Sequence, residues 1–217
     1  MMRTTVFVCL ALGALAKQPA RPKISANYHA TGRITVFKFE TGSVILGRGG
    51  RALWNDAPGG ARFADWMQFE EDGKEFNLHD IVRWDKGMRY AINLDNRTQC
   101  WERRIHLGEW FPHSWQWVAG AQYVGDRTID HQDANVWEAR ERSRHLHREV
   151  AVYAMNPNVP IYTAANNITS GNLQQHFWSS FVPGIPDENL FVVPSSCEPE
   201  TPQNHPGLYF NLEFRRC

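Results

Sequence analysis

Hydrophobic residues in this 217-residue chain recur at every second position over many short stretches, and that period selects sheet over helix. The clearest run is Met88 to Asp95, where Met88, Tyr90, Ile92 and Leu94 point one way and Arg89, Ala91, Asn93 and Asp95 the other. Such a strand has one buried and one wetted face. Ile34 and Val36 alternate with Thr35, Phe37 and Phe39, and a Thr41-Gly42 turn separates them from Ser43 to Leu46, which reads as a hairpin. After the punctuation Ala57-Pro58-Gly59-Gly60, Arg62 to Glu70 places Phe63, Met67 and Phe69 on one face, and Glu71-Asp72-Gly73-Lys74 reads as another turn. Alternation returns at Trp115 to Tyr123, Val136 to Arg142, Arg148 to Met155, His176 to Val182 and Leu208 to Phe214. Many short strands at short intervals predict an antiparallel all-β fold.

The stretch Asp133 to Glu149 is rich in Glu, Arg and His and competes for an exposed helix. Its strongly apolar residues are Val136, Trp137, Leu146 and Val150, too few for the stripe that a packed helix needs. Two strands joined by a charged turn are expected instead. Residues 17 to 30 form a polar lead-in with Pro19 and Pro22, regular pattern starts near Gly32, and Pro199 to Pro206 reads as a loop before a last strand.

The chain opens with Met1-Met2-Arg3, an apolar run from Val6 to Ala16, and an abrupt change at Lys17-Gln18-Pro19. Basic residue, short apolar stretch and small residues at Ala14 and Ala16 are the parts of a secretory signal peptide, with cleavage expected after Ala16. A single domain over residues 31–217 then follows the lead-in. No later stretch is apolar for long enough to span a membrane, so a soluble secreted product is expected. Loss of Arg3 leaves 22 basic against 23 acidic residues, which speaks against nucleic acid as a partner. Cys9 leaves with the signal, while Cys100, Cys197 and Cys217 enter an oxidising compartment. Three is odd, and the sequence leaves all three intrachain pairings open. The sequons Asn96-Arg97-Thr98 and Asn167-Ile168-Thr169 are candidate glycosylation sites.

Leu53-Trp54-Asn55-Asp56 is followed by Arg62, and the pattern continues through Asp80 to Asp85. Gly87-Met88-Arg89-Tyr90-Ala91-Ile92 leads to Cys100, Trp137 stands mid-chain, and Phe181-Val182-Pro183-Gly184-Ile185-Pro186-Asp187 runs on to Phe191-Val192-Val193-Pro194-Ser195-Ser196-Cys197. In this order the landmarks resemble the ependymin-related family and its invertebrate relatives, over roughly residues 30 to 200. The resemblance implies a fold similar to the bacterial lipoprotein-carrier half-barrel: strongly curved or stacked antiparallel sheets, as a half-barrel or sandwich, around a deep apolar pocket. It implies fatty acids or other lipids as ligands, calcium binding, homodimer formation, and pairing of Cys100 with Cys197. Such a bond closes a loop of about 100 residues, worth up to ~4–5 kcal/mol in the chain-entropy model. The sequence departs from the vertebrate pattern in lacking further cysteine pairs, which leaves Cys217 without a partner or as a link between two copies.

Nine Trp, twelve Phe and six Tyr exceed what packing alone requires. The expected pocket lining is Met88, Tyr90, Ile92, Trp115, Trp117, Trp137, Phe177 and Phe181, all on aromatic-rich alternating stretches. A curled sheet can keep its concave face apolar but unfilled, and an acyl chain would then gain ~0.8 kcal/mol per buried CH₂. Enzyme readings are weaker. His145-Leu146-His147, with Glu149 on the same strand face, could hold Zn²⁺ or Cu²⁺, although a solvated charged face is the simpler reading. Ser195-Ser196 lacks a nucleophile elbow. Asp126, Asp130 and Asp133 do not have EF-hand spacing and are at most contributors to a calcium site. The expected function is non-catalytic binding of a hydrophobic ligand. The alternatives are an extracellular matrix or adhesion glycoprotein that binds calcium and dimerises, and a secreted metallo-hydrolase.

Overall fold

A computed structural model of the chain describes residues 18–39, 41–71, 74–96, 99–105, 115–141 and 145–201. The expected signal segment with Cys9, residues 72–73 of one expected turn, Arg97 and Thr98 of the first sequon, the expected strand 208–214 and Cys217 lie outside them. Within them the strands are β1 (Tyr28–Lys38), β2 (Ser43–Trp54), β3 (Arg62–Glu71), β4 (Lys74–Arg83), β5 (Met88–Asn93), β6 (Cys100–Arg104), β7 (Gln122–Ile129), β8 (Gln132–Glu141), β9 (Leu146–Tyr153), β10 (Pro160–Asn167), β11 (Leu173–Pro183) and the short β12 (Glu198–Pro199). Two 3-10 segments, η1 (Trp115–Gly120) and η2 (Glu188–Phe191), interrupt them.

All strands join one sheet in the order β12-β6-β5-β4-β3-β2-β1-β11-β10-β9-β8-β7. The first strand therefore lies in the middle. From it β2 to β6 build outward to one side, and the second half of the chain starts at the far edge and returns to close on β1 through β11. Pairing is antiparallel throughout, except where β12 lies parallel to β6. The all-β expectation holds: the molecule is a single large, curved, unclosed sheet. The stacked-pair or sandwich form of the expectation does not, because every described strand is paired into the same sheet.

Glycines and bulges produce the curvature. A Cβ at Gly32 would lie 2.0 Å from the Phe177 carbonyl oxygen, and one at Gly49 would lie 1.9 Å from the Trp66 carbonyl oxygen. Neighbouring backbones approach there more closely than any side chain permits, so the sheet bends at β1, β2 and β3. The register also shifts at Thr31/Gly32, Pro160/Tyr162 and Tyr123/Gly125, and bulges of this kind add twist.

Because side chains alternate, the register sorts the core onto two faces. The first, called the Tyr28 face, carries Ile34, Val36, Ile45, Met67, Phe69 and Leu78 in one cluster and Tyr28, Ala30, Leu53, Phe63, Val82 and Trp178 in a second. Its third cluster joins Trp137, Val150 and Val152 to Val118 and Ala121 in and after η1. Trp115 of η1 packs against both the second and the third cluster, and Ile24 of the lead-in packs against the third. The opposite, Cys100 face carries Ala52, Ala64, Ile81, Tyr90, Ile92 and Cys100 beneath Phe191 of η2, and a separate cluster of Ala134, Val136, Ala151, Ile161 and Tyr162.

Three local expectations are corrected. Trp115 to Tyr123 is not one strand but η1 followed by the start of β7, since Trp115 and Val118 have a spacing of three and both pack inward. His145 is not on a strand beside His147: it occupies the turn before β9 with φ 51°. Strands β4, β6 and β10 were not marked by the alternation, because Asp80 stands at a buried position of β4, β6 is short, and the buried residues of β10 are three in a row at its start rather than every second one. The two strands expected around the charged turn in 133–149 are β8 and β9.

Candidate functional site

The middle of the Tyr28 face carries a row of charge inside the apolar clusters. Arg51 of β2 stands opposite Asp65 of β3, which stands opposite Asp80 of β4. Arg51 Nη2 donates to Asp65 Oδ2 at 2.6 Å, and Arg89 of β5 grips Asp80 with Nε and Nη2 at 2.8 and 2.9 Å. Arg51, Asp65 and Asp80 are buried. On β1 the positions beside Arg51 are Ala30 and Gly32, so the guanidinium can reach over the small residues and lie 5.7 Å from the Trp178 ring of β11 and 5.4 Å from Phe63. Trp178 in turn stacks on His176, with ring centroids 4.9 Å apart.

Not all of this polarity is satisfied. Arg51 Nε, Asp65 Oδ1, His176 Nδ1 and Trp178 Nε1 are buried and lack a hydrogen-bond partner. Burial pushes the Asp65 carboxyl above its ordinary value against the pull of Arg51. Burial, assisted by the positive charge of Arg51, holds the His176 imidazole well below its ordinary value and therefore neutral. The Tyr28 phenol, also buried, is pushed up.

The structure separates the eight residues expected to line one pocket. Trp115, Trp117, Trp137 and Phe181 lie with η1 on the Tyr28 face, where Trp115 meets Tyr28 at 5.9 Å and Phe181 stacks on Tyr28 at 4.8 Å. Met88, Tyr90 and Ile92 lie on the opposite face under η2, and Phe177 packs there against Tyr162. One residue of register parts the two sets. A groove of about 370 Å³ on the Cys100 face is walled by Arg33, Arg48, Gln68, Glu70 and Glu75 and holds none of the eight.

Sequence reasoning passed over Arg51, Asp65, His176 and Trp178. A signal for Asp65 was available: it falls between Phe63 and Met67 on the buried face of the same strand, where a carboxylate is out of place.

The pairing of Cys100 with Cys197 is present, with Cα atoms 4.7 Å apart. It ties β6 to the segment that follows η2. The alternative metal site does not assemble: His147 Nε2 lies 3.2 Å from Glu138, Glu149 pairs with Arg127 at 3.0 Å, and His145 is in its turn. Among the described residues there is no group of three or more His, Cys, Asp or Glu placed to hold an ion. Of the carboxylates considered for calcium, Asp126 accepts from the Tyr123 hydroxyl and Asp130 pairs with Arg33. Asn96 is exposed in the turn after β5, while the Asn167 carboxamide oxygen accepts from the Thr169 and Ser170 amides. Ser195 and Ser196 lie in the exposed link between η2 and Cys197. Among the described residues no helix is long and apolar enough to cross a membrane.

Residues 48–147 match a family described as a domain of unknown function (DUF8395). No curated protein matches the chain. Among solved structures, the MucA/MucB complex of Pseudomonas aeruginosa is similar at 13% identity and a TM-score of 0.41, over 80% of this chain and 58% of that one. The lipoprotein LppX of Mycobacterium tuberculosis is similar at 9% identity and a TM-score of 0.41, over 72% and 88%. A putative outer membrane lipoprotein-sorting protein domain from Vibrio parahaemolyticus follows at 12% and 0.31, over 79% and 91%. The chain thus spans little more than half the length of the MucB chain it resembles. The ependymin-related name is not supported by these comparisons.

Proposed function

We propose that this chain is an exported, non-catalytic binding protein for a hydrophobic small molecule such as a fatty acid or other lipid, held between the Tyr28 face of the sheet and η1. One observation carries the reading: among the described residues, the apolar face running from β4 to β8 is met on its second and third clusters by the six-residue 3-10 segment Trp115–Gly120 and by Ile24 of the lead-in, and by no packed second layer. A sheet face of that extent demands a cover. A short segment docked through Trp115 and Val118 can be displaced far more cheaply than a helix or a second sheet. The ligand then gains by burial, chiefly against Trp115, Trp117, Trp137 and Phe181. The Cys100–Cys197 bond favours an oxidising compartment and supports export.

The test is displacement of the neutral apolar dye N-phenyl-1-naphthylamine, together with native mass spectrometry of protein secreted from eukaryotic cells. Retained lipid mass and dye binding that quenches tryptophan emission are expected, with dye binding weakened by Trp115→Ala. Protein that is free of lipid and takes up no dye would overturn the reading and favour a matrix or adhesion role.

A further inference from the structure

The polar row on the Tyr28 face is unexplained by burial of an apolar molecule. An apolar face needs no charge, and removing charges from water costs more than their mutual attraction usually returns. Here the pairing is also incomplete, since four buried polar atoms, from β2, β3 and, across β1, from β11, end without partners. They converge through Arg51, which bonds Asp65 on one side and lies over Trp178 on the other, while Trp178 stacks on His176.

We propose that Arg51, Trp178 and His176, with Asp65 as acceptor, form the head-group seat for a long-chain carboxylic acid. The inference rests on the binding function argued above and names the ligand class of that site. The unused atoms define the chemistry. Arg51 Nε and Trp178 Nε1 are N–H donors, His176 Nδ1 can donate or accept, and Asp65 Oδ1 is an acceptor. A carboxylic acid is their complement, because its carbonyl accepts from the two N–H groups while its hydroxyl donates to Asp65. A methyl ester keeps the carbonyl and loses the donor. A phosphodiester offers acceptors alone and sets its charge against Asp65. A primary alcohol can donate and accept, but only at one oxygen, whereas the acid spreads its acceptor and its donor over two atoms that face opposite sides of the seat.

Charge balance points the same way. The groups facing Asp65 are Arg51 on β2, Asp80 on β4 and Arg89 on β5, with Tyr28 on β1 facing both Arg51 and Asp65 and His176 on β11 facing Arg51. Two cations and two carboxylates cancel, and the phenol and imidazole are neutral. A carboxylate entering from neutral solution would leave one uncompensated buried charge, so it enters with a proton, shared between its own oxygen and Asp65. Binding therefore takes up one proton.

The experiment measures dissociation constants for palmitic acid and methyl palmitate by dye displacement, from about pH 6 to about pH 8, on the full chain. Wild-type protein should prefer the acid to the ester by ~30-fold or more near neutrality, because an ester leaves Asp65 Oδ1 unpaired. Its affinity for the acid should fall about tenfold per pH unit, while that for the ester stays flat. Arg51→Met/Asp65→Leu should abolish both preference and slope and still bind the ester. Trp178→Phe keeps the ring and removes one donor, and should shrink the preference several-fold even if the double variant does not fold. Equal binding of acid and ester by the wild type, a flat profile for the acid, or a preference that survives in both variants would overturn the seat. Failure of acid, ester and dye alike would instead remove the binding function on which it rests.

Discussion

Replacing both cysteines of the bond, as Cys100→Ala/Cys197→Ala, probes how the two halves of the sheet are held. The cysteines are 97 residues apart, and the loop they close contains β7 to β11 and η2. In the chain-entropy model, freeing a loop of this size restores to the unfolded chain a freedom worth about 4.7 kcal/mol. Cys100 is also buried, among Ala52, Tyr90, Ile92 and Phe191, so the missing sulfur leaves a small void costing ~1 kcal/mol more. The total approaches the whole stability of a marginal domain, about 5–15 kcal/mol. With a urea slope of ~2–3 kcal/mol/M, the unfolding midpoint should drop by about 2 M. Equilibrium unfolding followed by tryptophan emission reads this directly. A drop below ~0.5 M, or two titratable thiols at these positions in unreduced protein, would refute the account.

Gly32→Ala should destabilise by ~2 kcal/mol or more, because its Cβ would meet the Phe177 backbone. Gly120→Ala, with nothing within 4 Å, should be nearly silent in the same thermal melts. Tyr28 is pushed up by burial, so the stability it contributes is intact below about pH 10 and is lost as pH rises beyond it. Tyr28→Phe should therefore flatten the alkaline limb of Tm against pH. His176 is held low, so its contribution is intact above about pH 6.5 and declines as pH falls, by at most ~1.4 kcal/mol per unit. His176→Phe should remove that slope from urea titrations, and an unchanged slope would show that another group causes it.

The sheet was largely legible because its period was. Met88, Tyr90 and Ile92, and Phe63, Met67 and Phe69, sit on the faces the alternation assigns to them. Two other features were not legible. The joining of every strand into one sheet depends on β1 meeting β11 across more than a hundred residues, a contact no local pattern encodes. The face on which each expected lining residue falls depends on bulges such as that at Thr31/Gly32, which turn Trp178 to the Tyr28 face and Phe177 to the other. Aromatic content alone could not divide the eight candidates.

Arg51 and Asp65 finally separate structural from functional causes of a buried charge. Removing one partner, as in Asp65→Leu, strands a cation among Phe63 and Trp178 and should cost about 3–5 kcal/mol. Replacing both by apolar residues of similar volume, as in Arg51→Met/Asp65→Leu, removes two desolvated charges together, along with the unpaired Nε and Oδ1, and should be neutral or stabilising by about 1–4 kcal/mol. The neighbouring Asp80–Arg89 pair is bidentate and needs neither residue, so it should persist. Chemical denaturation of both variants decides the matter. If the double variant is as unstable as the single one, the ion pair holds the fold together, and its open valences are incidental to binding. If the double variant is as stable as the wild type, folding does not require the pair, and a ligand is left as the reason for keeping it.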